Sequence, residues 1–347
     1  MDAHSAERLA RHTAVSAHLS SMSDREHARV VATATELGTG IGGRSMELNV
    51  DGSRVFVKRI PLTDIEMLPQ NMFSTANIFE LPTFYQYGVG SSGFGAWREL
   101  AAHTMTTQWV LDGEFPGFPA MYHWRVLPDF APTGFVDEFG GVDDAVTYWE
   151  GSSAVRNRLE AIGTSKHSVM VFLEHVPHTL GEWIARQRNT SGGVDAVVLW
   201  AENALAEGTA FMSAHGFVHF DAHFANILTD GQRLYFADFG LALSSNFALS
   251  VDESTFATRH LSYDGLYCAG QLLRCLVAER FTETERLGFP DSWIGGLRPG
   301  NLTPDIDAFV DRHVRPSALL NDFHRSLVGE SRTARFPLEE IERVRRL

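Results

Sequence analysis

Lysine is almost absent from this sequence. Among 347 residues, lysine and arginine total 29, and only Lys58 and Lys166 are lysines. Arginine can serve wherever a surface position needs no more than a positive charge, whereas a compact ammonium group suits particular kinds of chemistry. A lysine kept in such a background therefore raises the question of what reaction or ligand needs it.

Cysteine and long apolar runs are also scarce. Cys268 and Cys275 are the only cysteines, and they lie seven residues apart in a predicted helix, too far along its axis to form a disulfide. We expect both to be free thiols. No apolar stretch approaches the length needed to cross a bilayer, and residues 1–30 lack the apolar region of a secretory signal. These absences predict a cytoplasmic protein that does not enter a membrane.

The charge balance is acidic, with a formal net charge of −14. Nucleic-acid binding needs a basic surface that neutralises phosphates, so this balance argues against nucleic acid as the partner. A cationic or a neutral small molecule is compatible with the charge. The charge alone requires neither, since many acidic proteins are simply soluble.

The predicted elements pass from strand-rich to helical along the chain. Residues 1–22 are weakly patterned, Ser23 and Glu26 form a capping-box pattern, and residues 38–45 read as a glycine-rich turn. Predicted strands are Met46–Val50, Arg54–Ile60, Met121–Leu127, Val169–Glu174, Val218–Phe220, Ile227–Leu228 and Leu234–Ala237. Predicted helices are Ala96–Leu111, Asp143–Ile162, Thr179–Arg188 and Val194–Ala214, and the chain from about residue 257 is mostly helical. This order suits two lobes.

The strongest chemical signal is His219-Phe-Asp221-Ala-His223-Phe-Ala-Asn226, followed by Asp238-Phe-Gly. Phosphoryl transfer to a hydroxyl needs a carboxylate near that hydroxyl and oxygen ligands that hold Mg²⁺ against the phosphates. Asp221, Asn226 and Asp238 offer those groups. Two other interpretations remain open at this point: a helix cap with turns and buried aromatics, or a metal-hydrolase site built on the two histidines and Asp221.

The spacing H-x-D-x-x-x-x-N followed by D-F-G resembles the catalytic and metal-binding loops of the protein-kinase-like superfamily. That superfamily includes protein kinases and small-molecule kinases of the aminoglycoside phosphotransferase and choline kinase type. The resemblance implies an α+β bilobal protein-kinase-like fold, with a small antiparallel β-sheet N-lobe and a mainly helical C-lobe. It implies ATP and Mg²⁺ as cofactors, Asp221 as catalytic base, Asn226 and Asp238 as metal ligands, and His219 as a brace of the loop.

The resemblance assigns roles to residues nearer the N-terminus as well. Gly38, Gly40 and Gly43 would form the loop over the phosphates, and Lys58 in V-F-V-K would contact the α- and β-phosphates. Glu99 would be the carboxylate partner of this lysine, with Glu47 on the neighbouring strand as a rival. Backbone groups of Glu174 and Val176 would meet the adenine edge.

The same resemblance divides the chain into an N-terminal extension over residues 1–35, an N-lobe over 36–176 and a C-lobe over 177–347. The N-lobe carries insertions at 61–95 and 129–167. The second insertion is acidic, so it is either a recognition element for a cationic ligand or a solvated helix.

Departures from the protein-kinase pattern bear on the acceptor. Phe220 replaces the arginine that would read a phosphate, His223 stands where lysine is usual, and Phe56 shares the face of Lys58 where alanine is usual. No A-P-E follows Gly240, and Asp264 is only an approximate match for the aspartate that ties the catalytic loop. We therefore expect a small-molecule hydroxyl as acceptor, such as that of an antibiotic or other natural product. The motif D-F-G itself is the form typical of protein kinases, so a protein serine/threonine kinase is the alternative. A nucleotide-binding pseudokinase is the second alternative.

Overall fold

A computed structural model describes residues 3–40, 43–187, 193–286, 288–298 and 302–346. The chain divides into two compact units. The first unit comprises Met1–Val176, Asp238–Ala242 and Asn246–Glu253, and the second comprises Pro177–Ala237, Leu243–Ser245 and Ser254–Leu347. The first unit therefore includes two short segments from later in the chain.

A five-stranded antiparallel sheet forms the centre of the first unit, in the order β1-β2-β3-β5-β4. Its strands are β1 (Thr35–Gly40), β2 (Gly43–Val50), β3 (Ser53–Leu62), β4 (Met121–Pro128) and β5 (His167–Glu174). The predicted α+β class with an antiparallel sheet is thereby confirmed. The turn between β2 and β3 has positive φ at Asp51 and Gly52, as a tight hairpin requires.

The glycine-rich segment is more regular than its composition predicts. Gly38 and Gly40 lie in β1 and Gly43 opens β2, with Gly40 opposite Gly43 in the ladder. Residues 41 and 42 lie outside the described residues. Gly43 has φ of +136°, and a Cβ there would collide with the carbonyl oxygen of Arg59 on β3, so this position needs glycine.

Five helices accompany this sheet in the described part of the first unit: α1 (Ala3–Ser21), α2 (Asp24–Ala32), α3 (Ala96–Leu111), α4 (Val142–Tyr148) and α5 (Ser153–Gly163). The predicted capping box of Ser23 and Glu26 opens α2. The weakly patterned segment 1–22, for which an extension and a loose helix were both open, forms the regular helix α1 over residues 3–21. Its apolar stripe is narrow, but Val15 and Leu19 are buried in one cluster with residues of the sheet.

The predicted helix over residues 143–162 is broken in two. Glu150 and Gly151 have positive φ, which ends α4, and the hydroxyl of Ser152 caps the new helix α5. The two predicted insertions are not independent loops. They share one buried cluster, to which residues 78–94 and 135–162 contribute Phe79, Leu81, Tyr85, Phe94, Phe135, Ala145, Trp149, Val155, Leu159 and Ile162.

The second unit is mainly helical, as expected. Its helices are α6 (Leu180–Arg186), α7 (Gly193–Ala214), α8 (Val251–Arg259, whose first turn belongs to the first unit), α9 (Tyr263–Arg280), α10 (Glu283–Arg286), α11 (Phe289–Ile294), α12 (Pro304–Gly329) and α13 (Leu338–Arg345). Helix α9 packs against both α7 and α12. Short strands form two small antiparallel sheets: β6 (His178–Thr179) with β8 (Ile227–Thr229) and β9 (Leu234–Phe236), and β7 (Phe217–Val218) with β10 (Leu243–Ser244). Within the described ranges, every helix is too short or too polar to cross a membrane.

Candidate active site

The first unit contains a cluster of one buried lysine, one buried carboxylate and one partly exposed carboxylate. Lys58 lies on the central strand β3, and its Nζ is 2.5 Å from Asp238 Oδ1 and 2.6 Å from Glu99 Oε1. Lys58 is 5% exposed and Glu99 is 3% exposed. The structure thus brings together three residues that the resemblance assigned to nucleotide and metal binding.

Electrostatics keep this lysine protonated. Burial by itself lowers the pKa of Lys58, but the charges of Asp238 and Glu99 outweigh it, and the pKa is raised above its ordinary value. The rival partner Glu47 is engaged elsewhere, because its carboxylate bonds with Arg54 and lies 3.2 Å from the ring of His175.

Helix α3 is held in place at its first turn by Glu66, a residue that we did not single out from the sequence. Glu66 Oε1 accepts the backbone N–H of Ala96 at 2.6 Å, and the Glu66 carbonyl accepts the indole N–H of Trp97 at 2.9 Å. Glu66 is 1% exposed and forms a buried ion pair with Arg158 at 3.0 Å. A local signal was present, since Thr63 and Glu66 form a capping-box pair. No local sequence pattern indicates the bonds from Glu66 to Ala96 and Trp97 of α3.

The segment that begins at Asp238 has a strained backbone. Asp238 has φ of 64°, and its Oδ1 also accepts the N–H of Gly240. The next residue, Phe239, is 1% exposed, with its ring 4.9 Å from His103 and 6.1 Å from Phe118. His103, one turn after Glu99, is a second residue that we missed. Its Nε2 lies 3.8 Å from Glu99 Oε1, and neither ring nitrogen has a hydrogen-bond partner among the residues that the structure describes.

The second unit contains the loop between β7 and β8, which carries Asp221 and Asn226. The Asn226 amide nitrogen donates to both the carbonyl and Oδ2 of Asp221, each at 3.0 Å. His223 Nε2 lies 3.7 Å from Asp221 Oδ2, beyond hydrogen-bond distance. The side chain of Asp221 is 24% exposed. The loop therefore presents a carboxylate of fixed orientation to solvent.

His219 braces this loop from a fully buried position. Its Nε2 bonds with the carbonyl of Ala237 at 2.9 Å, and its Nδ1 accepts the N–H of Asp221 at 3.3 Å. Because both ring nitrogens are engaged, His219 is a poor metal ligand in this conformation. In the described ranges, no group of three or more His, Cys, Asp or Glu side chains could hold a metal ion.

Asp264 ties the loop to α9. Its Oδ2 accepts the N–H of His219 at 2.6 Å, and its Oδ1 accepts the N–H of Phe220 at 2.9 Å. These bonds hold Phe220 at a φ of 63°, a strained value for a bulky residue. Two turns further along α9, the side chain of Gln271 also bonds this loop, donating to the carbonyl of Ala222 at 3.0 Å.

The buried carboxyl of Asp264 allows a prediction about pH. Burial raises its pKa from 3.8 to about 7, and the charge of Asp221 adds to this, whereas the bonds from His219 and Phe220 oppose it. The folded chain thus holds this proton more tightly than the unfolded chain, and the ionised carboxyl opposes folding above pH 7. Lowering the pH from about 8 to about 6 should therefore stabilise the wild type by roughly 1 kcal/mol relative to Asp264→Asn. Urea unfolding of both proteins at the two pH values measures this difference, and a change of the opposite sign would contradict it.

No family model matches the chain, and no curated protein matches it either. The candidate site therefore depends on the residues and their geometry. Of the remaining predicted residues, Gly38 and Gly40 lie on β1, and Gly43 lies on β2. Strand β2 pairs with β3, where Ser45 of β2 is the register partner of Lys58. Glu174 ends β5, with its N–H bonded to the carbonyl of Ala120 at 2.8 Å. Val176 is half-buried.

The predicted metal ligands are chemically suited to Mg²⁺. The side chain of Asp238 is 41% exposed and supplies a carboxylate. Because the amide nitrogen of Asn226 faces Asp221, its Oδ1 is the atom suited to coordination. A carboxylate together with neutral oxygen and phosphate ligands is the environment that Mg²⁺ prefers.

Proposed function

We propose that this chain is an ATP-dependent phosphotransferase with the bilobal protein-kinase-like fold, and that it moves the γ-phosphate of ATP to a hydroxyl of a small molecule. The observation that carries the proposal is Lys58, one of two lysines in the chain, which is buried between Glu99 and Asp238. Burying an ammonium group beside carboxylates costs desolvation free energy, so its presence calls for a functional reason. Binding of phosphate oxygens is a role that suits it.

Each residue has a distinct task in this proposal. Glu99 orients Lys58 toward the phosphates. Asp238 and Asn226 would each be a ligand of Mg²⁺, and the ion would neutralise charge on the phosphates. Asp221 accepts the proton of the attacking hydroxyl, and the bonds from Asn226 orient its carboxylate. His219 and Asp264 keep the loop in its strained conformation.

The small-molecule acceptor is favoured over a protein by the segment after Asp238. Within the first unit, Leu241 accepts a hydrogen bond from the side chain of Gln86, and the N–H of Ala248 donates to Thr75 at 2.9 Å. Both partners belong to the predicted insertion 61–95. A segment tied at two points to the body of its own unit is poorly suited to a switch that orders only on phosphorylation. Because the chain has a formal net charge of −14, the proposed acceptor includes cationic small molecules.

The two lysines provide a matched test of the proposal. Lys58→Met should lower the rate of ATP-dependent phosphorylation roughly 10²- to 10³-fold, the range found when one donor to a transition-state charge is removed. Lys166→Met should retain wild-type activity, because the side chain of Lys166 is 76% exposed and its Nζ lies 3.9 Å from Asp64. The measurement is ATP consumption and product formation with antibiotics, amino-alcohols, nucleosides and generic protein substrates.

The outcomes separate the candidate functions. Turnover with proteins alone would favour the serine/threonine kinase, and ADP binding without turnover on any acceptor would favour the pseudokinase. Full activity of Lys58→Met would overturn the proposed roles altogether.

A further inference from the structure

One buried arginine of α1 reaches the end of β5. Arg8 is 5% exposed, and its Nε lies 2.9 Å and 3.1 Å from the two carboxylate oxygens of Glu174, while its Nη2 lies 2.6 Å from Oε2. The same guanidinium donates to the carbonyl of Pro116 at 2.8 Å and to that of Phe118. A single side chain thus links α1, the segment before β4 and the last residue of β5.

Glu174 is immobilised from several directions. Its side chain is 7% exposed and also accepts from Arg11 at 3.0 Å and from the N–H of Ala120 at 3.3 Å. Its own backbone N–H donates to the carbonyl of Ala120. The side chain and the amide of Glu174 are therefore both committed to internal contacts.

Helix α1 has its own anchors on the sheet. Val15 and Leu19 are 3% and 0% exposed in the cluster that they share with the strands, and His12 Nε2 bonds with the carbonyl of Met121 at 3.0 Å. Arg8 is consequently delivered by a docked helix and not by a mobile tail. The forked guanidinium satisfies a carboxylate bidentately, a contact that a single point charge does not reproduce.

We infer that Arg8 is a positioning residue for nucleotide binding. The inference rests on the proposed function, in which backbone groups at 174–176 meet the adenine edge. Arg8 bonds the side chain of Glu174, so it acts by fixing the backbone onto which adenine docks. The N-terminal helix is then part of the nucleotide site and not an appendage to it.

Binding of ADP and of pyrophosphate by the full-length protein tests this inference. Arg8→Met removes every hydrogen bond of the guanidinium but keeps an apolar stem of similar length. We expect its Kd for ADP to rise roughly tenfold, equivalent to about 1.4 kcal/mol, with the Kd for pyrophosphate unchanged, because pyrophosphate lacks adenine. In turnover, the KM for ATP should rise while kcat is kept.

Arg11→Met is the matched control, because the side chain of Arg11 is 39% exposed and contacts the same carboxylate once by hydrogen bond in the described contacts. It should change the Kd for ADP less than about twofold. If circular dichroism shows that Arg8→Met does not fold, Arg8→Lys replaces it in the experiment. We expect a smaller rise in the Kd for ADP with Arg8→Lys. A folded Arg8 variant with wild-type affinity for ADP, or with equal losses for ADP and pyrophosphate, would overturn the inference alone. A wild type that neither binds ADP nor consumes ATP would overturn the proposed function and this inference together.

Discussion

Replacing Asp221 by asparagine should remove phosphoryl transfer while leaving nucleotide binding intact. A general base contributes roughly 10²- to 10⁴-fold to a rate, and an amide cannot take the proton of the attacking hydroxyl. The loop should keep its conformation, because an amide oxygen can still accept the bond from Asn226 and the backbone bonds to Asp264 are unaffected. Turnover with an identified acceptor and ADP binding by calorimetry measure the two effects separately.

Asp305→Asn is the control for this substitution. Asp305 lies in the exposed first turn of α12, in the same unit as Asp221, so its replacement should leave both turnover and binding unchanged. Loss of ADP binding along with turnover in Asp221→Asn would indicate a damaged fold and not a missing base. Retained turnover would contradict the catalytic role of Asp221.

Arg158→Met should destabilise the protein by about 3–5 kcal/mol, because it leaves the carboxylate of Glu66 buried without its cation. Arg158 and Glu66 are 3% and 1% exposed, and the guanidinium also lies 4.9 Å from the ring centre of Phe79. The loss should appear in the free energy of unfolding measured with urea. Since Glu66 also holds the first turn of α3, activity should fall together with stability.

The neighbouring arginine on α5 gives a matched control for this prediction. Arg156 pairs with Asp143 and Glu160 at the surface, so Arg156→Met should leave the free energy of unfolding nearly unchanged. Adding Glu66→Gln to Arg158→Met should recover part of the lost stability, since the buried charge is then absent. Equal losses in Arg156→Met and Arg158→Met would refute the importance of the buried pair.

Several elements could be predicted from the sequence because their signals are local. The bounds of α3 follow from its composition and flanking turns, and the start of α2 follows from the capping box of Ser23 and Glu26. The hairpin between β2 and β3 follows from Asp51 and Gly52. Local patterns were less reliable where one residue interrupts a period, as Glu150 does between α4 and α5.

The candidate site was predictable in part for a different reason. The resemblance and the rarity of lysine indicated Lys58, Glu99 and Asp238. In the structure, Nζ of Lys58 lies 2.6 Å from a carboxylate oxygen of Glu99 and 2.5 Å from one of Asp238. Asp221 and Asn226 are five residues apart, so their hydrogen bonds lie within the reach of one loop. The roles of these residues in phosphoryl transfer remain predictions.

The sequence by itself determined the local features of this protein: the helix caps, the β2–β3 hairpin, the spacing of Asp221 and Asn226, and the position of Lys58 as one of two lysines. Only the tertiary structure decided the partners of its buried charges. Arg8 meets Glu174 across 166 positions, and Glu66 meets Arg158 across 92. The physical reason is that a buried ion pair depends on which surfaces pack together, and no periodicity or cap near Arg8 or Glu66 specifies a packing partner so distant in the chain.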